Sequence, residues 1–298
     1  MKPNFFIVGA PKCGTTYLAT QLGRHPSIEV SDPKEPHFFG RDLLPPTDQF
    51  VRGESEYISL FTGSGGVEMM GEASTLYLSS KTAAREISQW APEAKIIAIL
   101  REPVAQMYSM FSHRVYSGNE STLSFRDALA LEGLRRHGSS LPNSLTRTAS
   151  GLFYRENARY YVHLNRYSQY FPENQIKILF FDDLVAGPLD FVNAAVRFLG
   201  LEPLTAVDQS GRNENKRNRT LESQRIIQAI PIRVKKAARA VLGEDVIGVL
   251  GAWAGRLGEQ RPRFDLTEEE TQRLRSSLKD DIRNLEGMTG RHLTHWVR

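Results

Sequence analysis

Apolar residues fall into three short unbroken runs and a series of helical stripes. "FFIVG" (5–9), "KIIAIL" (95–100) and "IKILFF" (176–181) show no polar alternation, the pattern of strands covered on both faces of a parallel sheet. Asp182 and Asp183 close the third run, and shorter strands are expected at 28–30 and 67–71. A helix is predicted from about Thr15 to Arg24, stopping before Pro26. Another starts at Pro103, a residue suited to the first helical position, with Gly118 just past its end. Helical spacing recurs over 81–90, 122–135, 155–171 and 188–199. After Asn218 the chain reads as helical, with Ile226, Ile227, Ile230 and Val234 on one face. Near the end, "LTEEETQRLRSSLKDDIRNL" opens with a Thr267/Glu270 capping box and carries Leu274, Leu278, Ile282 and Leu285 at helical spacing.

Strands alternating with helices predict an α/β protein, a three-layer α/β/α arrangement around a central parallel sheet. One domain, 1–298, is expected, with a helical C-terminal part from about residue 220. Residues 40–66 and 136–150, rich in Gly, Pro and Ser, read as surface loops.

Composition narrows the class without naming a chemistry. At 298 residues, 40% hydrophobic and 24% charged, the chain resembles an ordinary soluble enzyme. No apolar run approaches the roughly 20 residues a membrane-spanning helix needs. No signal peptide is evident, because Lys2 and Pro3 lead straight into the first strand. The single cysteine, Cys13, cannot form an internal disulfide, so a cytoplasmic setting is expected. Net charge is +4, but residues 212–239 hold nine Lys/Arg against two Asp/Glu, a local +7 that leaves the remainder at −3. Such a patch is either a solvated helix face or a docking surface for an anionic partner.

The chemistry concentrates in "FFIVGAPKCGTTYL" (5–18): a buried run, a Gly-rich turn, then helix formers. Backbone N–H groups of such a turn cradle a phosphate at a helix N-terminus. A nucleotidase loop, GxxxxGK[ST], places its lysine directly after the second glycine. Here Thr15 and Thr16 follow Gly14, and the lysine, Lys12, lies inside the loop. The strand 95–100 runs into Arg101, a cation where a nucleotidase would place a metal-binding carboxylate. The pattern points to an anionic nucleotide held by Lys and Arg without a metal.

These residues carry a resemblance. "PKCGTTYL" is similar to the 5′-phosphosulfate-binding loop of sulfotransferases that use 3′-phosphoadenosine 5′-phosphosulfate (PAPS). "ILREPVAQMYSMFSHR" resembles their 3′-phosphate-binding segment, with Ser109 eight residues after Arg101. "KEPHFFG" (34–40) resembles a segment of glycan sulfotransferases, the heparan sulfate type among them. "GEASTLYL" (71–78) and residues 171–201 also fall in family order, so the similarity runs from residue 4 to about 220.

The resemblance implies sulfuryl transfer from PAPS, leaving adenosine 3′,5′-bisphosphate (PAP), with no metal required. By analogy with phosphoryl transfer, charge builds on the leaving oxygen, and Lys12 at the loop crown would meet it. The loop residues Lys12, Cys13, Gly14, Thr15, Thr16 and Tyr17 would hold the 5′-phosphate, and Arg101 with Ser109 the 3′-phosphate. In the glycan sulfotransferases the carboxylate of the "E-x-HFF" segment takes the acceptor's proton, and the matching residue is Glu35; His37 is the competitor, and surface pairing of Glu35 with Lys34 or Arg41 the structural alternative. "RNENKRNRT" (212–220) resembles the family's later basic loop, with Lys216 and Arg217 as phosphate contacts and Arg219 next, although it has neither Arg-Lys-Gly nor Lys-Gly-Arg. His113, Trp90, Trp253 and Trp296 read as structural.

The expected acceptor is a hydroxyl of a sugar or glycolipid; a carrier-bound or small-molecule alcohol is the alternative. The 212–239 patch suits an acidic carrier protein or an anionic membrane surface, and no nucleic-acid partner is expected. Two other classes compete. A P-loop nucleotide kinase lacks its GK[ST] lysine, and a non-catalytic anion- or glycan-binding module leaves Lys12, Glu35, Arg101 and Ser109 without a joint purpose.

Overall fold

The computed structural model describes residues 2–43, 50–63, 65–142, 148–208 and 262–297. Five parallel strands form one sheet in the order β2-β3-β1-β4-β5: β1 Phe5–Gly9, β2 Ile28–Val30, β3 Met69–Ala73, β4 Lys95–Leu100 and β5 Ile176–Phe180. All of β1 and most of β4 are buried, as unbroken apolar runs require when helices cover both faces. β1 is central, pairing through Phe5 with Gly71 of β3 and Lys95 of β4. The chain thus leaves β1 for one side of the sheet and later crosses to the other. In open parallel sheets, ligands bind beyond the strand carboxyl ends at such a switch point.

Helices α1 (Thr15–Leu22), α2 (Glu54–Ile58), α3 (Ala83–Trp90), α4 (Pro103–Tyr116), α5 (Phe125–Arg136), α6 (Tyr154–Asn157), α7 (Tyr160–Tyr167), α8 (Phe181–Ala186), α9 (Pro188–Leu199), α10 (Glu268–Ser277) and α11 (Lys279–Thr289) complete the described fold. Their starts follow the expected local chemistry. Pro103 begins α4, and the Glu102 side chain accepts from the Ala105 amide at 2.6 Å. Both halves of the Thr267/Glu270 capping box form.

Three boundaries differ from the sequence pattern, each for a tertiary reason. The strand expected at 67–71 lies at 69–73, where Gly71 and Ala73 are in register with Phe5 and Ile7 of β1. The helix expected over 155–171 is interrupted between α6 and α7. There Asp281 of α11 accepts from the Tyr161 and Val162 amides (3.1 and 3.2 Å), capping a fresh helix start from a distant part of the chain. The C-terminal stripe breaks at buried Leu278, which separates α10 from α11. Asp182 and Asp183 follow the end of β5 as expected, in the first turn of α8. The 40–66 loop contains α2, and a 3₁₀ turn (Ala149–Leu152) ends the 136–150 loop. The helical reading after Asn218, Trp253 and the 212–239 patch lie outside the described residues.

Candidate active site

The loop leaving β1 bends back at Gly14, whose left-handed conformation (φ 93) starts α1. A Cβ there would stand 2.6 Å from Leu184 Cδ2, so both the φ and the packing against α8 call for glycine. The helix ladder begins with Leu18 N–H donating to Gly14 O at 3.0 Å. The amides of Gly14, Thr15 and Thr16 therefore precede the intrahelical bonds and present their hydrogens at the helix mouth. Thr15 is buried and Thr16 exposed. The Cys13 amide donates to Ala10 O (3.3 Å), which tightens the loop from within. Burial pushes the Cys13 thiol up to about 12, so it stays protonated and unreactive. Tyr17 is buried in the first turn of α1.

Lys12 occupies the loop crown with φ 64, a left-handed conformation unusual for a side-chain-bearing residue. It is half-buried. Burial lowers its ammonium pKa, Arg101 and Lys34 lower it further, and Glu35 pulls it back. Three cations and one carboxylate thus share one electrostatic neighbourhood, an excess of positive charge suited to a multiply charged anion. Arg101, just past β4, donates to Lys12 O at 3.4 Å and sits over the Phe181 ring at 4.5 Å. Those contacts leave its planar fork fixed beside the loop. In α4, buried Gln106 donates to Pro11 O at 3.0 Å, fastening that helix to the loop. Ser109, one turn beyond Gln106, lies on the same face of α4.

Glu35 reaches this neighbourhood from the segment after β2. Its Oε1 accepts from Lys34 Nζ (3.1 Å) and Thr75 Oγ1 (2.9 Å), while Oε2 lies 3.9 Å from His37 Nε2. The pairing with Lys34 weighed from the sequence therefore forms, and Thr75 holds the same oxygen. The His37 ring is buried against Phe50 and Tyr77, with centroids at 4.7 and 5.9 Å. Glu35 and His37 both have positive φ, 61 and 50. The adjoining chain is secured from several sides: Gly40 N–H donates to Glu86 (2.8 Å), and Arg52 to Phe38 O (3.1 Å).

The site thus brings Lys12, Glu35, His37 and Arg101 together with the mouth of α1, and sets Ser109 on the helix fastened to the loop. Lys216, Arg217 and Arg219 lie outside the described residues. Sequence reasoning overlooked Thr75, Gln106 and Phe181. "GEASTLYL" hinted at the first only by its place in the chain; nothing local marks the other two. A separate groove of about 350 Å³ between α5 and α10, lined by Arg126, Leu129, Arg155, Arg273 and Leu274, shares no residue with this site. Its arginines are engaged by Glu270, Glu132 and Glu269 respectively.

A parallel sheet whose central strand leads through a glycine-turned loop into a helix mouth, with cations beside it, has the layout of a P-loop group-transfer enzyme. Comparison with known proteins narrows that class: the sulfotransferase domain family matches residues 2–246, and the chain belongs to it. The family's sulfuryl donor is PAPS. The bifunctional heparan sulfate N-deacetylase/N-sulfotransferase of Drosophila melanogaster is 27% identical over 217 residues, covering 68% of this chain and 20% of that protein. The human N-deacetylase/N-sulfotransferase 3 is 28% identical over 208 residues, 67% of this chain and 22% of its own. The chain thus spans about a fifth of the length of these relatives. A crystal structure of a sulfotransferase from Alicyclobacillus acidocaldarius superposes with a TM-score of 0.75 at 26% identity, covering 100% of both chains.

Proposed function

We propose that this protein transfers the sulfuryl group of PAPS to a hydroxyl of a sugar or glycolipid. The observation that carries this reading is the convergence of Lys12, Arg101 and Glu35 at the mouth of α1. In this reading the α1 amides hold the 5′-phosphate, and Arg101 with Ser109 grips the 3′-phosphate. Lys12 neutralises the bridging oxygen as the S–O bond to the donor breaks, an interaction that grows in the transition state. Glu35 takes the acceptor proton as the new S–O bond forms. Its Oε1 accepts from Thr75 and Lys34, contacts that hold the carboxylate in place beside the loop.

The relatives are named for N-sulfation of heparan sulfate, which supports a carbohydrate acceptor and makes an amino sugar the second reading. Thermal stabilisation separates the donor classes: PAP should raise the melting temperature and ATP–Mg²⁺ should not. Labelled PAPS offered with panels of glycans, glycolipids, amino sugars, phenols and carrier-bound alcohols then identifies the acceptor. Transfer to simple phenols alone would refute the sugar reading.

A further inference from the structure

Behind the segment that bears Glu35 lies a carboxylate with no catalytic assignment. Glu72, in β3, is fully buried, as are Tyr57, Ser74 and Tyr77 around it. Its Oε1 accepts from the Tyr57 hydroxyl (2.8 Å) and the Tyr77 hydroxyl (2.9 Å), and its Oε2 from the Ser74 hydroxyl (2.5 Å). Two of these hydroxyls also accept from the chain in front of them. Ser74 Oγ takes the His37 amide at 3.1 Å, and Tyr77 Oη takes the Phe39 amide at 3.0 Å. Two parallel relays therefore run from one carboxylate to two alternate backbone amides of the same turn. The third hydroxyl belongs to Tyr57, whose ring stacks on Phe38 at 4.2 Å between those amides.

The turn needs such support. Glu35 and His37 are both left-handed, a region that side-chain-bearing residues adopt only at a cost in backbone strain. Glu35 also precedes Pro36, a position that ordinarily favours extended backbone with negative φ. A strained turn persists only where its surroundings over-determine it, and here both amides are claimed from within the core. The arrangement is itself costly. Burial pushes the Glu72 carboxyl up to about 7 against the pull of three hydroxyl donors, and an apolar residue would carry no such burden.

We propose that Glu72 is a positioning residue that, through Ser74 and Tyr77, fixes the strained turn carrying Glu35 and His37 in its working conformation. This rests on the reading of Glu35 as the proton acceptor, but the turn's geometry can be tested separately. The relay also orders the two hydroxyls. Because each donates its hydrogen to Glu72, its lone pairs face the amides, and neither hydroxyl can turn away without leaving the carboxylate short of a donor.

The test combines Ser74→Ala, Tyr77→Phe and Glu72→Gln with steady-state kinetics, PAP binding and hydrogen exchange resolved to single amides. Ser74→Ala removes one relay while both tyrosines remain on Glu72, so it is the variant least prone to misfold. Exchange at the His37 amide should quicken about 10-fold, matching the loss of one buried hydrogen bond, while the Phe39 amide stays within about twofold. Tyr77→Phe should give the converse pattern. In Ser74→Ala, kcat should fall about 10-fold, with the PAPS KM and PAP affinity within about twofold of wild type. Glu72→Gln should quicken both amides and lower kcat further. Unchanged exchange at His37, or a kcat at the wild-type level in Ser74→Ala, overturns the proposal whatever Glu35 does. If Glu35→Gln keeps full turnover while Ser74→Ala loses it, the proton-acceptor reading falls and the positioning of the turn stands.

Discussion

The two sides of the candidate site are built by different means. The proposed donor side is a local device: nine consecutive residues, Gly9 to Tyr17, contain the loop, its cation and the helix mouth. Its shape follows from one left-handed glycine and from helix geometry, with Arg101 and Gln106 added from the next strand and helix. The proposed acceptor side is a distributed device. The turn at 35–39 has no regular hydrogen-bond ladder; it is held by Ser74 and Tyr77 from one stretch of chain and Arg52 from another, while Glu86 from a third secures Gly40 just beyond it. A helix mouth organises an anion site wherever the chain supplies one. A strained turn must be held from outside. The comparison implies that damage to the donor side should appear mainly in binding or transition-state charge, and damage to the acceptor side in turnover at unchanged donor affinity.

The largest effect expected is on the acceptor side. Glu35→Gln keeps the side chain's shape but removes its basicity, and kcat should fall about 10³-fold with PAP affinity retained, as isothermal titration would show. Survival of activity in Glu35→Gln together with its loss in His37→Ala moves the role to His37 and redraws that side of the comparison.

Lys12→Ala on the donor side should lower turnover by about 10²-fold or more if, as proposed, its contribution arises as the leaving oxygen charges. A variant with wild-type kcat and only a raised PAPS KM makes Lys12 a binding residue. Arg101→Ala should instead weaken PAP binding by roughly 2–5 kcal/mol, the range for removing one partner of a desolvated charge pair. Equal affinity in wild type and Arg101→Ala breaks the donor-side assignment.

A smaller effect, on stability, distinguishes the buried support of the acceptor side. Burial raises the Glu72 carboxyl from the usual 4.5 to about 7, so the folded state favours the protonated form. The associated stability is fully present below pH 4.5 and is lost as pH rises through 7, a change of roughly 3 kcal/mol. Denaturant titrations from pH 4 to 8 should show the wild type losing this stability relative to Glu72→Gln, in which the group cannot ionise. Parallel pH profiles for the two proteins would remove Glu72 as the source. The smallest expected effect is a local one. Thr267→Ala breaks the capping box of α10 and should cost about 1 kcal/mol with no change in kcat.

Much of the donor side was legible in the sequence because its signals are local. A strand run, a glycine at the required spacing and two threonines opening a helix occupy one contiguous stretch, and Arg101 is marked by ending a second apolar run. The α10 capping box was legible for the same reason. Glu35 was reachable only through resemblance, since nothing in "KEPHFFG" by itself states that its backbone turns left-handed. Glu72 could not be found by pattern. An acidic residue in the middle of "MMGEAS" reads as an ordinary strand position until the sheet buries it beside two tyrosines.

The sequence by itself determined the alternation of buried strands and amphipathic helices, the glycine-turned loop between β1 and α1, and the identity of its cations. Those depend on backbone preferences and side-chain spacing within a few residues. The tertiary structure alone decided where the long helical patterns break, because Asp281 caps α7 from more than a hundred residues away. It likewise decided how the turn at 35–39 is held, because the acceptors for its amides come from side chains at 74 and 77, across the sheet's carboxyl edge. A backbone N–H donates to any suitably placed oxygen, so which oxygen it meets follows from how the strands are ordered, and no short stretch of sequence carries that order.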